Sequence, residues 1–167
     1  MSNERSVDQA VDARRVSAPV RRAVIGIGNA LRGDDGVGLA VVRALRGRVA
    51  EDVMLIEHDG DGASLLFVLE ALDRVIVIDA VNADEMAGAV RRFDAAAMPL
   101  PVATWTSTHA IGLAETIELA RAMHRLPQTL VVYGIAGSRF SIGDGLAEDV
   151  GRSVLTVADE IVRELSC

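Results

Sequence analysis

The stretch VIGIGNALRGDDGVGLAVV (Val24–Val42) constrains the fold more than any other part of the chain. It opens as an apolar run, breaks at Gly26 and Gly28, and passes through a polar loop. Apolar residues then resume at helical spacing after the acidic pair Asp34–Asp35. Glycine permits a sharp turn and close backbone approach, so a strand–Gly–x–Gly–loop–helix unit sets its loop at the carboxyl edge of a sheet. A loop built for nucleotide phosphate offers amide N–H groups, whereas one ending in two carboxylates repels that ligand. GIGNAL also lacks the third glycine of a dinucleotide fingerprint, and GNALRGDD lacks the Lys-Ser/Thr of a phosphate loop.

The rest of the chain supplies partners for this unit. Ala23–Ile27 reads as a strand that is apolar on both faces, as in the middle of a parallel sheet. Val37, Ala40, Val41, Ala44 and Leu45 recur at helical spacing and predict a helix that ends near Gly47. Val53–Glu57 predicts a short second strand, and HDGDGAS (His58–Ser64) a glycine-rich turn into a helix over Leu65–Leu72. RVIVIDAV (Arg74–Val81) is the clearest strand. Its β-branched run ends at Asp79, which is expected where the strand leaves the sheet.

Ala87–Phe93 is expected as a further strand, antiparallel to its neighbour because the connection before it is short. Met98–His109, with two prolines and several threonines, predicts a long surface loop. Ser107 or Thr108 can cap the helix expected over Ile111–Met123, which sets His109 in its first turn. LVVYGIAG (Leu130–Gly137) is the last central strand, and a loop with Gly143 and Gly145 leads to a closing amphipathic helix. Val150, Val154, Val157, Ile161 and Leu165 form its apolar face. The alternation predicts an α/β domain of three layers on about five strands. It is expected to span residues 23–167, after a poorly ordered leader over residues 1–22.

Composition narrows the class. Half of the 167 residues are hydrophobic but only 3% are aromatic, so Ala, Val, Leu and Ile must build the core. A net charge of −7 argues against nucleic acid or an anionic membrane as partner. The single cysteine, Cys167, permits neither an internal disulfide nor a thiolate cage. No apolar run nears the roughly 18 residues of a membrane span, and the first residues lack a signal-peptide core. A soluble, cytoplasmic monomer is expected.

Three side chains share one topological address. Asp35 follows the first strand, Asp79 ends the third, and His109 opens a helix that returns to the same edge. Two carboxylates and an imidazole form a facial ligand set for a divalent transition metal, with open positions for water or a partner's groups. Each also has a plainer reading: Asp35 as neutraliser of a helix dipole, Asp79 as a turn cap, His109 as a packing residue. Asp59 and Asp61 beside His58 are read as a solvated turn rather than a metal site. His124 is read as capping a helix end, and Trp105 as lining a cleft or packing in the core.

GIGNALRGDDGVG, then VIVIDAV, then STHAIGL, in that order and spacing, resemble the hydrogenase maturation endopeptidases. The resemblance runs from about Ala23 through the last helix. It implies a three-layer α/β/α sandwich on a five-stranded, mostly parallel mixed sheet with one antiparallel strand. The implied reaction removes the C-terminal extension of a nickel–iron hydrogenase large-subunit precursor after nickel insertion. Asp35, Asp79 and His109 match the family's metal-contacting residues, and the nickel is supplied by the precursor rather than held permanently. Two departures stand out: Asp59-Gly60-Asp61-Gly62 replaces a common Gly-Gly-Thr turn, and Thr108 and Ala110 flank His109 in place of proline and a polar residue. The alternatives are a non-proteolytic nickel-sensing chaperone on the same fold and a self-contained metallopeptidase.

Overall fold

The computed structural model describes residues 19–82, 85–101 and 112–166. Five strands form one sheet in the order β2-β1-β3-β5-β4. These are β1 (Arg22–Ile27), β2 (Val53–His58), β3 (Arg74–Val81), β4 (Val90–Asp94) and β5 (Thr129–Ala136). The helices are α1 (Val37–Ala44), α2 (Gly62–Glu70), α3 (Leu113–Ala122) and α4 (Glu148–Leu165). Pairing is parallel from β2 through β5, and β4 runs antiparallel on the edge against β5. The mixed sheet with one antiparallel strand therefore matches the expectation, although that strand begins at Val90 rather than Ala87.

Side-chain alternation splits the core into two layers. Ile25, Val75, Val77 and Val132 pack with α2 and α3 through Leu65, Leu69 and Ile117. Val24, Ile76, Ile78 and Tyr133 pack with α1 and α4 through Val41, Val154, Val157 and Ile161. The central strands are buried on both faces, which is why their sequences run as continuous apolar stretches rather than alternating. The closing helix buries Val150, Val154, Val157 and Ile161, as its spacing predicts.

Three local outcomes differ from the sequence reading. The acidic pair does not merely precede a helix: Gly33–Gly36 forms a 3₁₀ turn that runs directly into α1. The helix after β2 starts at Gly62 and ends at Glu70, because Asp61 caps it by accepting from Ser64 N at 2.8 Å. His124 closes the end of α3 through its backbone. Its backbone takes the left-handed position (φ 55°), with Arg125 N–H bonded to Ala120 O at 2.8 Å and His124 N–H to Arg121 O at 3.1 Å.

Of the expected leader, residues 1–18 lie outside the described residues. Arg21 and Arg22 at its end form ion pairs with Asp73 and Asp52. No helix among the described residues is long and apolar enough to cross a membrane.

Candidate functional site

In an open parallel sheet, a crevice forms where neighbouring strands send their connections to opposite sides. Here β1 is followed by β2 on one flank, while β3 leads toward β5 and β4 on the other. The crevice therefore lies at the carboxyl ends of β1 and β3, the edge at which β3 carries Asp79 and the turn after β1 carries Asp35.

Asp79 does not mark the end of its strand. Pairing of β3 with β5 continues through Asp79↔Gly134, Ala80↔Ile135 and Val81↔Ala136. What ends is the other side, since the last pair between β1 and β3 is Gly26↔Ile78. The carboxylate thus sits one residue beyond the point where β1 turns away, still held by sheet backbone and 1% exposed. It shares the parity of Val77 and Val81, so it projects toward the layer of α2 and α3.

Asp35 is brought back to the end of β1 by glycine packing. Gly28 adopts φ +143°, and a Cβ there would lie 1.7 Å from Asp35 O, so only a bare Cα allows the loop to fold onto the strand end. Asn29 N–H donates to Asp35 Oδ2 at 3.0 Å and fixes the carboxylate's orientation. Asn29 also accepts from Leu31 N–H through Oδ1 at 2.9 Å, so the turn that holds Asp35 is itself braced. Asp35 is 2% exposed and borders an open cleft of about 450 Å³ lined also by Gly28, Asn29, Leu39, His58 and Asp59.

Asp34 takes a different part. It is fully buried, and its Oδ2 accepts from Ser138 N–H at 2.8 Å and Arg139 N–H at 2.9 Å. Its Oδ1 accepts from Ala147 N–H at 2.7 Å. Asp34 N–H returns a bond to Arg139 O at 2.7 Å. This carboxylate fastens the 3₁₀ turn to the loop between β5 and α4. Consecutive residues in a 3₁₀ turn are rotated by about 120°, which is why the two neighbours face different partners. Sequence reasoning missed the role of Asp34, since no local signal separates two adjacent aspartates whose partners lie over a hundred residues away.

The glycine-rich turn after β2 is a structural knot. His58 Nδ1 accepts from Gly60 N–H at 2.9 Å and Nε2 lies 3.0 Å from Ser64 Oγ. Both ring nitrogens are thus engaged within the turn. Asp61 is held below the usual carboxylate range, first by the backbone bond from Ser64 and then by the Ser64 hydroxyl. The structure therefore keeps Asp61 as a cap and His58 as a turn brace, in line with the sequence reading of this stretch as a turn. Glu57 on the cleft wall is likewise held below the usual range, chiefly by its hydrogen bond from Arg43, and Arg46 reaches it at 2.9 Å.

His109, Trp105, Ser107, Thr108 and Cys167 lie outside the described residues. The helix expected over Ile111–Met123, with a Ser107 or Thr108 cap and His109 in its first turn, is α3, which instead begins at Leu113 with Gly112 at its N-cap. A second cleft of about 530 Å³ lies at the opposite, amino-terminal edge of the sheet, between Arg22, Arg74 and Thr129. Strand amino ends offer no equivalent of the crevice, so the Asp35–Asp79 edge is the stronger site.

Known proteins resemble the chain over most of its length. The family model described as "Hydrogenase maturation protease" matches residues 39–164. A putative hydrogenase maturation protease of Methanocaldococcus jannaschii is 30% identical over 85% of this chain and 94% of its own length. The hydrogenase 2 maturation protease of Escherichia coli is 24% identical over 87% of this chain and 91% of its own. Among solved structures, the hydrogenase maturating endopeptidase of E. coli superposes with a TM-score of 0.74 at 25% identity, covering 88% of this chain and 93% of that one. A NiFe hydrogenase maturation protease of Thermococcus kodakarensis gives 0.69 at 25% identity, covering 88% and 94%.

Proposed function

This chain belongs to the hydrogenase maturation proteases, and from that membership we propose that it removes the C-terminal extension of a nickel–iron hydrogenase large-subunit precursor once nickel is in place. That it is a peptidase follows from the family; the substrate and the metal gate are our reading. The observation that carries the reading is the pair of buried carboxylates, Asp35 and Asp79, at the carboxyl ends of the neighbouring strands β1 and β3.

The proposed substrate brings its nickel with it. Two carboxylates and an imidazole suit a site that must complete the coordination of a metal already held by the precursor. Harder oxygen and nitrogen donors add to such a metal without competing for it as thiolates would. Asp35 and Asp79 supply the carboxylates, and His109, at the head of the segment leading into α3, supplies the imidazole. Nickel in the precursor polarises the scissile carbonyl or the attacking water. Water then adds to the carbonyl carbon, one of the two aspartates takes its proton, and the C–N bond breaks as that proton passes to the leaving amine. The Asn29 N–H bond to Asp35 keeps one carboxylate aimed while this happens. The protein is proposed to act in the cytoplasm as a monomer.

A gel-shift assay on the precursor tests the reading. Wild-type protein is expected to shorten the nickel-loaded precursor and to leave the nickel-free form intact. His109→Ala and Asp79→Asn are expected to leave both forms uncut while retaining the wild-type circular dichroism spectrum. Cleavage of the nickel-free precursor would refute the metal gate, and normal cleavage by Asp79→Asn would remove that residue from the site.

A further inference from the structure

We infer that Leu31 and Ile142, flanked by Arg32 and Arg139, form a rigid docking lip beside the active-site cleft. Its occupant is an apolar side chain on the precursor surface with a carboxylate next to it. This inference rests on the function proposed above and adds where the precursor is gripped at the rim of the cleft, which Arg32 also lines.

Leu31 is 71% exposed and Ile142 is 82% exposed. Isolated exposed apolar residues are ordinary on a protein surface and carry no message. These two differ because the fold spends several bonds on holding them together. Gly143 N–H donates to Leu31 O at 2.9 Å, which sets the loop carrying Ile142 directly beside the loop carrying Leu31. The Asp34 carboxylate clamps the same two loops through Ser138, Arg139 and Ala147. Side chains presented on loops already fixed lose little further freedom on binding, the condition under which apolar anchors contribute most.

The lip is continuous with the site. Leu31 N–H is bonded to Asn29 Oδ1, and Asn29 N–H is bonded to Asp35 Oδ2. A chain laid across Asp35 therefore has the lip as its immediate neighbour. The charges choose the partner. In a chain of net charge −7, Arg32 and Arg139 on these loops have no ion-pair partner among the described residues, although most other described arginines do. Asp144 on the same loop forms no ion pair with either arginine among the described residues. Two guanidinium groups on the loops that carry the apolar pair favour an apolar anchor with an acidic neighbour.

The test uses full-length protein and full-length nickel-loaded precursor. Cleavage rates over a range of precursor concentration, and binding to immobilised precursor, are measured for wild type, Leu31→Ser/Ile142→Ser and Arg32→Glu/Arg139→Glu. Leu31, Ile142 and Arg139 are exposed and Arg32 is half-buried at the cleft, none of them in the core, so circular dichroism melts should match wild type. The first variant is expected to raise KM about thirtyfold with kcat within twofold. The second should raise KM and lose the dependence of binding on added salt. Unchanged KM and binding, or a fall in kcat at unchanged KM, would overturn the lip while the endopeptidase stands. Wild type that binds without cutting, with binding lost in the lip variants, would sink the endopeptidase reading and leave the lip. A wild-type dimer in sedimentation that Leu31→Ser/Ile142→Ser disperses would show a second copy as the occupant and overturn the inference.

Discussion

Replacing Asp34 tests whether the two aspartates of the acidic pair have separate jobs. Asp34→Ala removes an acceptor that serves three backbone N–H groups at 2.7 to 2.9 Å, all to a charged carboxylate. Hydrogen bonds to charged groups contribute about 1.5–3 kcal/mol each, so three give roughly 4–9 kcal/mol before relaxation. Ser138 and Arg139 are exposed and can turn their N–H groups to water, whereas Ala147 is buried and its N–H is left without an acceptor. The net loss should then be about 4 kcal/mol, a large part of the roughly 5–15 kcal/mol that stabilises an ordinary domain. At about 2–4 °C per kcal/mol for a chain of this size, the melting temperature should fall by about 12 °C. Asp34→Asn should lose less, about 2–3 kcal/mol, because its amide nitrogen faces a donor on one side only. Thermal and urea unfolding followed by circular dichroism measure both. Asp35→Asn is the control: its Oδ1 can still accept from Asn29 N–H, so its melt should stay within about 1 kcal/mol of wild type while precursor cleavage is lost. A loss below about 1 kcal/mol in Asp34→Ala, or equal destabilisation by both positions, would refute the division of labour.

Two further outcomes follow from the packing and the titrating groups. Tyr133 is the chain's single tyrosine, and every one of its seventeen basic residues is arginine. Burial pushes the Tyr133 hydroxyl up to about 12, with its bond to Glu164 adding to the effect. The folded state thus holds the proton more tightly, so the stabilisation is complete below about pH 10 and is lost as pH rises through about 12. Unfolding free energies from urea melts should fall across that window by about 2 kcal/mol in wild type and stay flatter in Tyr133→Phe, and tyrosinate absorbance reads the same group directly. Gly38→Ala places a Cβ 2.5 Å from both Ile27 O and Ile78 O, backbone atoms that cannot step aside. It should cost about 3 kcal/mol by pushing α1 off the sheet, and an unchanged melting temperature would contradict the close packing of α1 on β1 and β3.

Much of the architecture was legible because it is encoded locally. The apolar runs at Ala23–Ile27, Arg74–Val81 and Leu130–Gly137 became β1, β3 and β5, since a strand covered on both faces admits little but Val, Ile, Leu and Ala. The 3.6-residue spacing of Val150, Val154, Val157 and Ile161 became the buried face of α4 for the same kind of reason. The placing of Asp35 and Asp79 at one edge also followed, because strand direction and parallel pairing fix which ends of the strands meet.

Tertiary structure alone decided three things. It chose Asp34 as the clamp and left Asp35 facing the cleft, through partners at Ser138, Arg139 and Ala147 that no pattern near residue 34 can indicate. It kept β3 in the sheet past Asp79, because β5 continues beside it after β1 has turned away at Gly28. It also set Ile142 beside Leu31 on a braced lip. Periodicity reports how a residue relates to its neighbours along the chain, and so determined the elements. Hydrogen bonds across a hundred residues depend on how those elements pack, and only the packed molecule specifies them.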